Sequence, residues 1–268
     1  MAVDAAGVRR PLVAGNWKMN LTHTEGARLA AAVTTAVPPG PVEVVLCPPF
    51  TALPAVAAAL EAGGAGPAGA AGPVALGAQD LHWEERGAFT GEVSAGMLTA
   101  LGCRYVIVGH SERRALFGES DEIVARKVAR ARQAGLTPIL CVGESLEERR
   151  AGRLEAVILG QLEAVLSRLD PAAGLVIAYE PVWAIGTGEA ASPADAGEVA
   201  RLIRRRLAAL SAAAAGQVRI LYGGSVNPDN AGAFFADPDV DGALVGGASL
   251  DAGAFTAIVA AAAAAVGR

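Results

Sequence analysis

Eight short runs of β-branched and aliphatic residues recur along the chain, separated by longer segments with a helical repeat of apolar positions. These runs predict strands at 12–14, 42–47, 74–78, 105–108, 137–142, 175–179, 218–222 and 242–245. The intervening segments predict helices, among them 24–36, 52–61, 122–134, 154–169 and 194–210. The predicted strands are mostly continuous apolar runs, as in a parallel sheet that is covered on both faces.

The number of strand–helix units helps to choose between the folds in which strands and helices alternate. Eight units within 268 residues favour a single-domain α/β fold, a closed (β/α)8 barrel over residues 1–268, rather than an open doubly wound sheet. A solenoid also repeats its units, but no consensus residue recurs from one unit to the next. The Gly/Ala-rich stretch 62–73 would then be a surface connection on the face opposite to the carboxyl ends of the strands.

Charge and composition exclude several classes of function. A formal net charge of −5 argues against nucleic acid or an anionic membrane as the main partner, so an anionic ligand would need a local attraction. Cys47, Cys103 and Cys141 are far apart and form no CxxC pair, so we expect no metal site, no disulfide framework and a cytoplasmic location. The N-terminus lacks the apolar core of a signal peptide, and the alanine-rich run 254–266 is too short for a membrane span.

Lysine is rare in this chain. Of 22 basic residues other than histidine, only Lys18 and Lys127 are lysine. In a composition that favours arginine, a lysine can mark a place where a compact ammonium is required and a wide guanidinium does not fit. Chance survival is the alternative for either position.

The unusual polar residues follow predicted strands directly. They are Asn16 and Lys18 after the first strand, Gln79 after the third, His110 and Glu112 after the fourth, Glu144 after the fifth and Glu180 after the sixth. Barrel enzymes carry their active sites at the carboxyl ends of the strands, so we expect these side chains to meet. Taken singly, Glu180 could be held by an arginine, His110 could be a satisfied helix-start histidine followed by Ser111 as N-cap, and Glu112 could be an ordinary first-turn carboxylate.

Glycines follow the last two strands. Gly223, Gly224 and Ser225 come after the seventh strand, and Gly246 and Gly247 after the eighth. Barrels bind phosphate at this place with backbone N–H groups, and a missing side chain lets the anion approach closely. A tight turn is the alternative explanation for either pair alone. An apolar segment after the sixth strand is a candidate lid that excludes water: Pro181, Val182, Trp183, Ala184, Ile185, Gly186, Thr187 and Gly188. It could equally pack on the barrel rim.

Together these motifs resemble the triosephosphate isomerase family, whose fold is the TIM barrel. The matching runs are 15–20 (GNWKMN), 77–80 (GAQD), 87–92 (GAFTGE), 109–114 (GHSERR), 178–188 (AYEPVWAIGTG), 222–226 (YGGSV) and 244–247 (LVGG). The resemblance implies Glu180 as the base, His110 as a neutral electrophile and Lys18 as the cation that stabilises an enediolate, with Asn16 and Glu112 in support. It also implies that Gly186, Ser225, Gly246 and Gly247 hold the phosphate of a small triose substrate, and that no cofactor or metal is used.

The resemblance further implies a homodimer. Residues 80–94 form a long connection that carries Trp83 and Phe89, which would be costly to expose. We expect this loop to dock on a second copy of the chain, with Thr90 near the catalytic residues of that copy. Residues 189–191 (EAA) depart from the family pattern, which affects the expected lid kinetics and not the chemistry.

Two other functions share parts of this pattern. A Schiff-base aldolase needs a lysine near the barrel mouth, and Lys18 is the candidate, although it follows the first strand rather than the sixth. A non-catalytic barrel that binds a phosphorylated metabolite would retain the glycines without Lys18, His110 and Glu180. The presence of all three favours the isomerase.

Overall fold

The structure, a computed structural model, describes residues 9–37, 39–64, 74–184 and 191–266. Its eight strands pair in parallel and in sequence order, and β8 returns to β1 to close the barrel. They are β1 Leu12–Asn16, β2 Glu43–Cys47, β3 Val74–Ala78, β4 Tyr105–Val108, β5 Thr137–Val142, β6 Val176–Tyr179, β7 Arg219–Tyr222 and β8 Gly242–Val245. The predicted (β/α)8 barrel is confirmed, and β1 extends two residues beyond its predicted end, so that Asn16 closes the strand.

Helices cover the outside of the barrel. The longer ones are α1 His23–Ala36, α2 Leu53–Ala62, α5 Asp121–Gln133, α7 Leu154–Leu166, α8 Pro193–Leu210 and α11 Ala252–Ala265. The shorter ones are α3 Ala95–Ala100, α4 Ser111–Phe117, α6 Leu146–Arg150, α9 Ala212–Gln217 and α10 Ala231–Phe234. Short 3-10 turns occupy Phe50–Ala52, Pro171–Ala173, Val182–Ala184 and Gly247–Leu250. No helix in the described ranges is long and apolar enough to cross a membrane.

The strands are mostly apolar because each of them faces two cores. In β4, for example, Tyr105 and Ile107 join the cluster inside the barrel, while Val106 and Val108 join the larger cluster between the barrel and the helices. Successive side chains of a strand point to opposite faces, so both sets are removed from water. The three cysteines are free and buried within this packing.

A buried ion cluster occupies the space where the connection after β3 meets α5. The ammonium of Lys127 is 3% exposed and donates to both carboxylate oxygens of Asp80, at 2.7 and 2.8 Å, and to Oε1 of Glu119 at 2.5 Å. Burial raises the pKa of Asp80 despite the opposing effect of Lys127. Three oxygens gathered round one nitrogen suit a compact ammonium, as the scarcity of lysine suggested for this position.

We therefore expect Lys127→Arg to destabilise the fold by about 1–3 kcal/mol, because the larger planar group overpacks the buried site. Urea unfolding would measure the change, with Arg132→Lys on the same helix as the matched control. Equal stability of Lys127→Arg and wild type would mean that the lysine is there by chance.

Candidate active site

One cavity of about 320 Å³ lies at the carboxyl ends of the strands. It is lined by Asn16, Lys18, His110, Glu180, Gly223, Gly224, Ser225, Val226, Asn227, Leu244, Gly246, Gly247 and Ala248. Glu112 lies in an adjoining cavity of about 200 Å³, which Lys18, His110 and Asn16 share. The fold thus brings together every predicted catalytic residue and every predicted phosphate ligand except Gly186, which lies outside the described residues.

Glu180 follows β6 directly and is 1% exposed. Its Oε2 accepts a hydrogen bond from the backbone N–H of Ser111 at 2.9 Å. Its Oε1 lies 2.8 Å from Nε2 of His110, but this contact is not directed along the ring N–H, and Oε1 has no hydrogen bond from a described residue. Among the described residues its ion-pair partner is His110, not an arginine, so the arginine-held alternative does not describe this carboxylate.

His110 is both a lining residue and the N-cap of α4. Its Nδ1 accepts from the backbone N–H of Glu112 at 3.2 Å, which leaves Nε2 to carry the proton of the neutral ring and face Glu180. The alternative of a helix-start histidine is confirmed, but its assignment of the N-cap to Ser111 is wrong, because the imidazole fills the acceptor position and Ser111 is the first helical residue. Burial lowers the pKa of His110, but the negative charges of Glu180, which also makes a short contact, and of Glu112 together outweigh it, so the net pKa is raised.

Lys18 is held in an unusual backbone conformation. Its φ is +52°, a left-handed value that is uncommon outside glycine. The side chain of Asn16 accepts from the Lys18 N–H at 3.1 Å, and Gln79 donates to the Lys18 carbonyl at 2.8 Å, so both neighbours fix this turn. The ammonium of Lys18 donates to Oε1 of Glu112 at 2.5 Å, which places a cation beside the cavity.

The two glycine pairs are occupied by glycine for different physical reasons. A Cβ on Gly223 would lie 2.9 Å from Cγ of Glu180, and one on Gly224 would lie 2.2 Å from the Tyr222 hydroxyl, so packing excludes side chains there. Among the described residues, a Cβ on Gly246 would meet only Lys18 Cε, at 3.7 Å, and one on Gly247 would meet nothing within 4 Å. Gly247 begins a 3-10 turn whose first N–H groups have no acceptor within the turn, so this corner can receive an anion.

The chain matches the family model described as triosephosphate isomerase over residues 11–262. A curated relative from Symbiobacterium thermophilum, named triosephosphate isomerase, is 54% identical over 97% of this chain and 100% of the relative. Relatives of the same name from Moorella thermoacetica and Herminiimonas arsenicoxydans are each 51% identical, over 94% and 95% of this chain and 98% and 100% of their own. This chain belongs to the triosephosphate isomerase family.

Of the polar residues predicted to meet at the rim of this family member, Glu144 does not line the cavity, and it contacts a residue, Arg149, for which the sequence suggested no role. Glu144 is fully buried, and its Oε1 accepts from the Tyr179 hydroxyl at 3.1 Å, from the Trp183 indole at 2.9 Å and from Arg149 at 3.1 Å. Glu144 was recognisable by its position after the fifth strand. Arg149 was not recognisable from the sequence, because it lies within the charged run 147–150, which is typical of a solvent-exposed helix face.

The described part of the predicted lid packs on the barrel rim. Pro181 follows Glu180, Val182–Ala184 form a 3-10 turn, and the Ser225 hydroxyl donates to the Ala184 carbonyl at 3.4 Å. Ile185, Gly186, Thr187 and Gly188, together with residues 189 and 190 of the departing stretch, lie outside the described residues. Thr90, the predicted dimer contact, is exposed and is not part of the cavity lining.

Glu180→Gln is expected to lower the pKa of His110, because burial then acts without the opposing carboxylate. A raised histidine pKa stabilises the fold fully below the unfolded value of about 6.5, and the contribution disappears as the pH rises through the higher folded-state pKa. The variant should therefore lose more unfolding free energy near pH 6 than near pH 9. NMR titration of the imidazole, with His23 and His82 as internal controls, would measure the shift. An unchanged or higher pKa of His110 would contradict the assigned cause.

Proposed function

We propose that this enzyme interconverts glyceraldehyde 3-phosphate and dihydroxyacetone phosphate through an enediolate, with Glu180 as the base and without a cofactor. The observation that carries the proposal is the convergence of a buried carboxylate, an imidazole N–H, an ammonium and a glycine-lined helical turn on one cavity. This set provides a base, an electrophile, a stabilising cation and an anion site. Membership of the triosephosphate isomerase family supports the same reaction.

Proton transfer requires Glu180 to turn towards the substrate. Its carboxylate is held by one well-directed hydrogen bond, from Ser111, so the turn costs about 1.5–3 kcal/mol, the net value of a hydrogen bond to a charged group. The base removes a proton from the carbon next to the carbonyl and returns it to the neighbouring carbon. One carboxylate can serve both carbons, which explains how the reaction proceeds without a second base.

The enediolate oxygens need donors and a positive charge. His110 would donate its Nε2 proton to them, and its helix cap at Nδ1 favours the neutral ring that this role requires. When Glu180 takes up the substrate proton, its charge is neutralised, which removes the main influence that raises the pKa of His110. The Lys18 ammonium adds charge stabilisation, while Asn16 and Glu112 keep its backbone and its side chain in place.

The phosphate would bind at the corner formed by Ser225, Gly246 and Gly247, with Gly186 from the lid. Backbone N–H groups and Lys18 supply the local attraction that a chain of net charge −5 needs for an anionic substrate. Closure of the segment 181–188 would keep water from the enediolate, which could otherwise lose its phosphate. We also infer a cytoplasmic location, in keeping with the three free cysteines.

We propose a homodimer as well, because apolar side chains are exposed around the cavity beside Lys18 and Glu112. Met19 is 95% exposed and Phe117 67% exposed, and both line that cavity. Phe89, on the loop that carries Thr90, is 42% exposed. Trp83 does not contribute as expected, since it is half-buried in its own chain under Arg126 and against His82. A second copy whose loop 80–94 enters this cavity would cover the apolar surface and bring Thr90 towards Lys18.

Glu180→Gln is expected to lower kcat by about 10²- to 10⁴-fold, the range for loss of a general base, in a coupled assay with glyceraldehyde 3-phosphate. Circular dichroism would show that the variant is folded, and Glu155→Gln, an exposed carboxylate on α7, is the matched control. A folded but inactive wild type would support the binding-only barrel instead. A folded variant with undiminished kcat would exclude Glu180 as the base.

Phe117→Glu is expected to convert the dimer into a monomer and to reduce activity, because a charge would lie at the centre of the apolar contact. Light scattering at micromolar concentration measures the mass. Leu210→Glu, on an exposed apolar residue of α8, is the control that should remain dimeric. A monomeric wild type with full activity would disprove the proposed assembly.

A further inference from the structure

Glu144 joins the segment that carries Glu180 to the end of β5. Its side chain binds Tyr179 and Trp183, which lie one residue before and three residues after Glu180. Its backbone carbonyl accepts from the Val182 N–H at 3.2 Å, and the Glu180 N–H donates to the carbonyl of Val142 at 2.8 Å. Residues 179–183 are therefore held along their length, and Glu144 supplies three of these contacts. We therefore expect the position of the Glu180 backbone to depend on Glu144.

Arg149 is the cation that allows Glu144 to be buried as a charge. Glu144 is 0% exposed, and an unpaired carboxylate at such a place is strongly unfavourable. Among the described ion pairs, Arg149 is the basic partner of Glu144, at 3.1 Å. The guanidinium also lies over the Trp183 ring, 5.0 Å from its centroid, so it contacts the same segment a second time.

The same guanidinium reaches the first turn of α8. Its other terminal nitrogen pairs with Oδ1 of Asp195. Oδ2 of Asp195 meanwhile accepts from the Ser192 N–H at 2.9 Å and from the Ser192 hydroxyl at 2.7 Å, in the capping box of α8. Arg149 thus connects Trp183, next to the end of one described range at residue 184, to the start of α8, just after the next described range begins at residue 191. Only a planar group with several donors can make these three contacts at once.

We propose that Arg149 is a positioning residue for the isomerisation: it joins the segment that carries Glu180 to the first turn of α8 and so fixes where the base stands. Arg149 is absent from the cavity lining, so it acts through Glu144, Trp183 and Asp195. The inference rests on the proposed role of Glu180 as the base. It predicts a loss in kcat with little change in KM, because the contacts of Arg149 described above are with Glu144, Trp183 and Asp195 and not with Ser225, Gly246 or Gly247.

Arg149→Met is expected to lower kcat by about 10- to 100-fold, the effect of a misplacement of roughly 1 Å, with KM within about threefold of wild type. Arg150→Met, the next residue and an exposed one, is the matched control and should behave as wild type. Because Arg149→Met leaves Glu144 buried and unpaired, it can also unfold the protein. The double variant Arg149→Met/Glu144→Gln removes that unpaired charge and keeps an acceptor for Tyr179 and Trp183.

The double variant separates positioning from simple charge compensation. Recovery of the melting temperature with kcat still reduced supports the proposal, whereas recovery of both overturns it and leaves Arg149 as a counter-ion only. Asp195→Asn removes the charge that pairs with Arg149 at α8 and keeps one oxygen for the Ser192 cap. If neither Arg149 variant folds, this variant is used to test the proposal instead. A wild-type kcat in Asp195→Asn would then overturn the proposal.

Wild type and Glu180→Gln are measured in the same assay. If Glu180→Gln retains the wild-type kcat, the assignment of the base fails. If Glu180→Gln is impaired and the folded Arg149 variants are not, only the role of Arg149 fails. A rise of KM with unchanged kcat in Arg149→Met would also contradict a role in placing the base.

Discussion

Closure of the backbone ladder between β1 and β8 is the constraint on which the rest of the structure depends. Leu12 pairs with Gly242 and Gly15 with Val245, in parallel register. Gly242 has a φ of +142°, and a Cβ there would lie 1.8 Å from the carbonyl oxygen of Leu12, so a side chain would prevent this approach of the strands. Once the ladder closes, the carboxyl ends of all eight strands lie on one rim. Residues as distant in sequence as Asn16 and Gly247 then share a cavity.

The distribution of buried charge distinguishes Glu180, the proposed base, from the other carboxylates. Six carboxylates are buried among the described residues, and five of them pair with lysine or arginine: Glu43, Asp80, Glu119, Glu144 and Asp241. Glu180 is the sixth, and its partners are a histidine and a peptide N–H. Glu180 is therefore buried without a lysine or arginine partner among the described residues, in keeping with its proposed role as the base.

Much of the fold and of the site follows from local sequence because the relevant signals are local. The continuous apolar runs predicted all eight strands, and a residue directly after a strand must lie on the rim once the barrel closes. Helices of four to seven residues, such as α6 and α10, were not predicted, since their amphipathic repeat is too short to detect. The cap at His110 was assigned to Ser111, because serine is the commoner cap and only the tertiary position of the imidazole decides between them. The partners of Arg149 and the burial of Trp83 depend on contacts between distant elements, which no local pattern records.

The open space beside Gly247 has a consequence for how this chain can change over generations. At Gly223, Gly224 and Gly242 a side chain would collide with the protein itself, so the fold preserves glycine whether or not the enzyme is used. At Gly247 no described residue lies within 4 Å of a Cβ, so the proposed phosphate is the restriction that we expect at that position. In a lineage that lost its substrate, residue 247 would be expected to drift first, while the other three glycines remained. If Gly247 binds the phosphate as proposed, the identity of this one residue is expected to follow whether a descendant still binds that ligand.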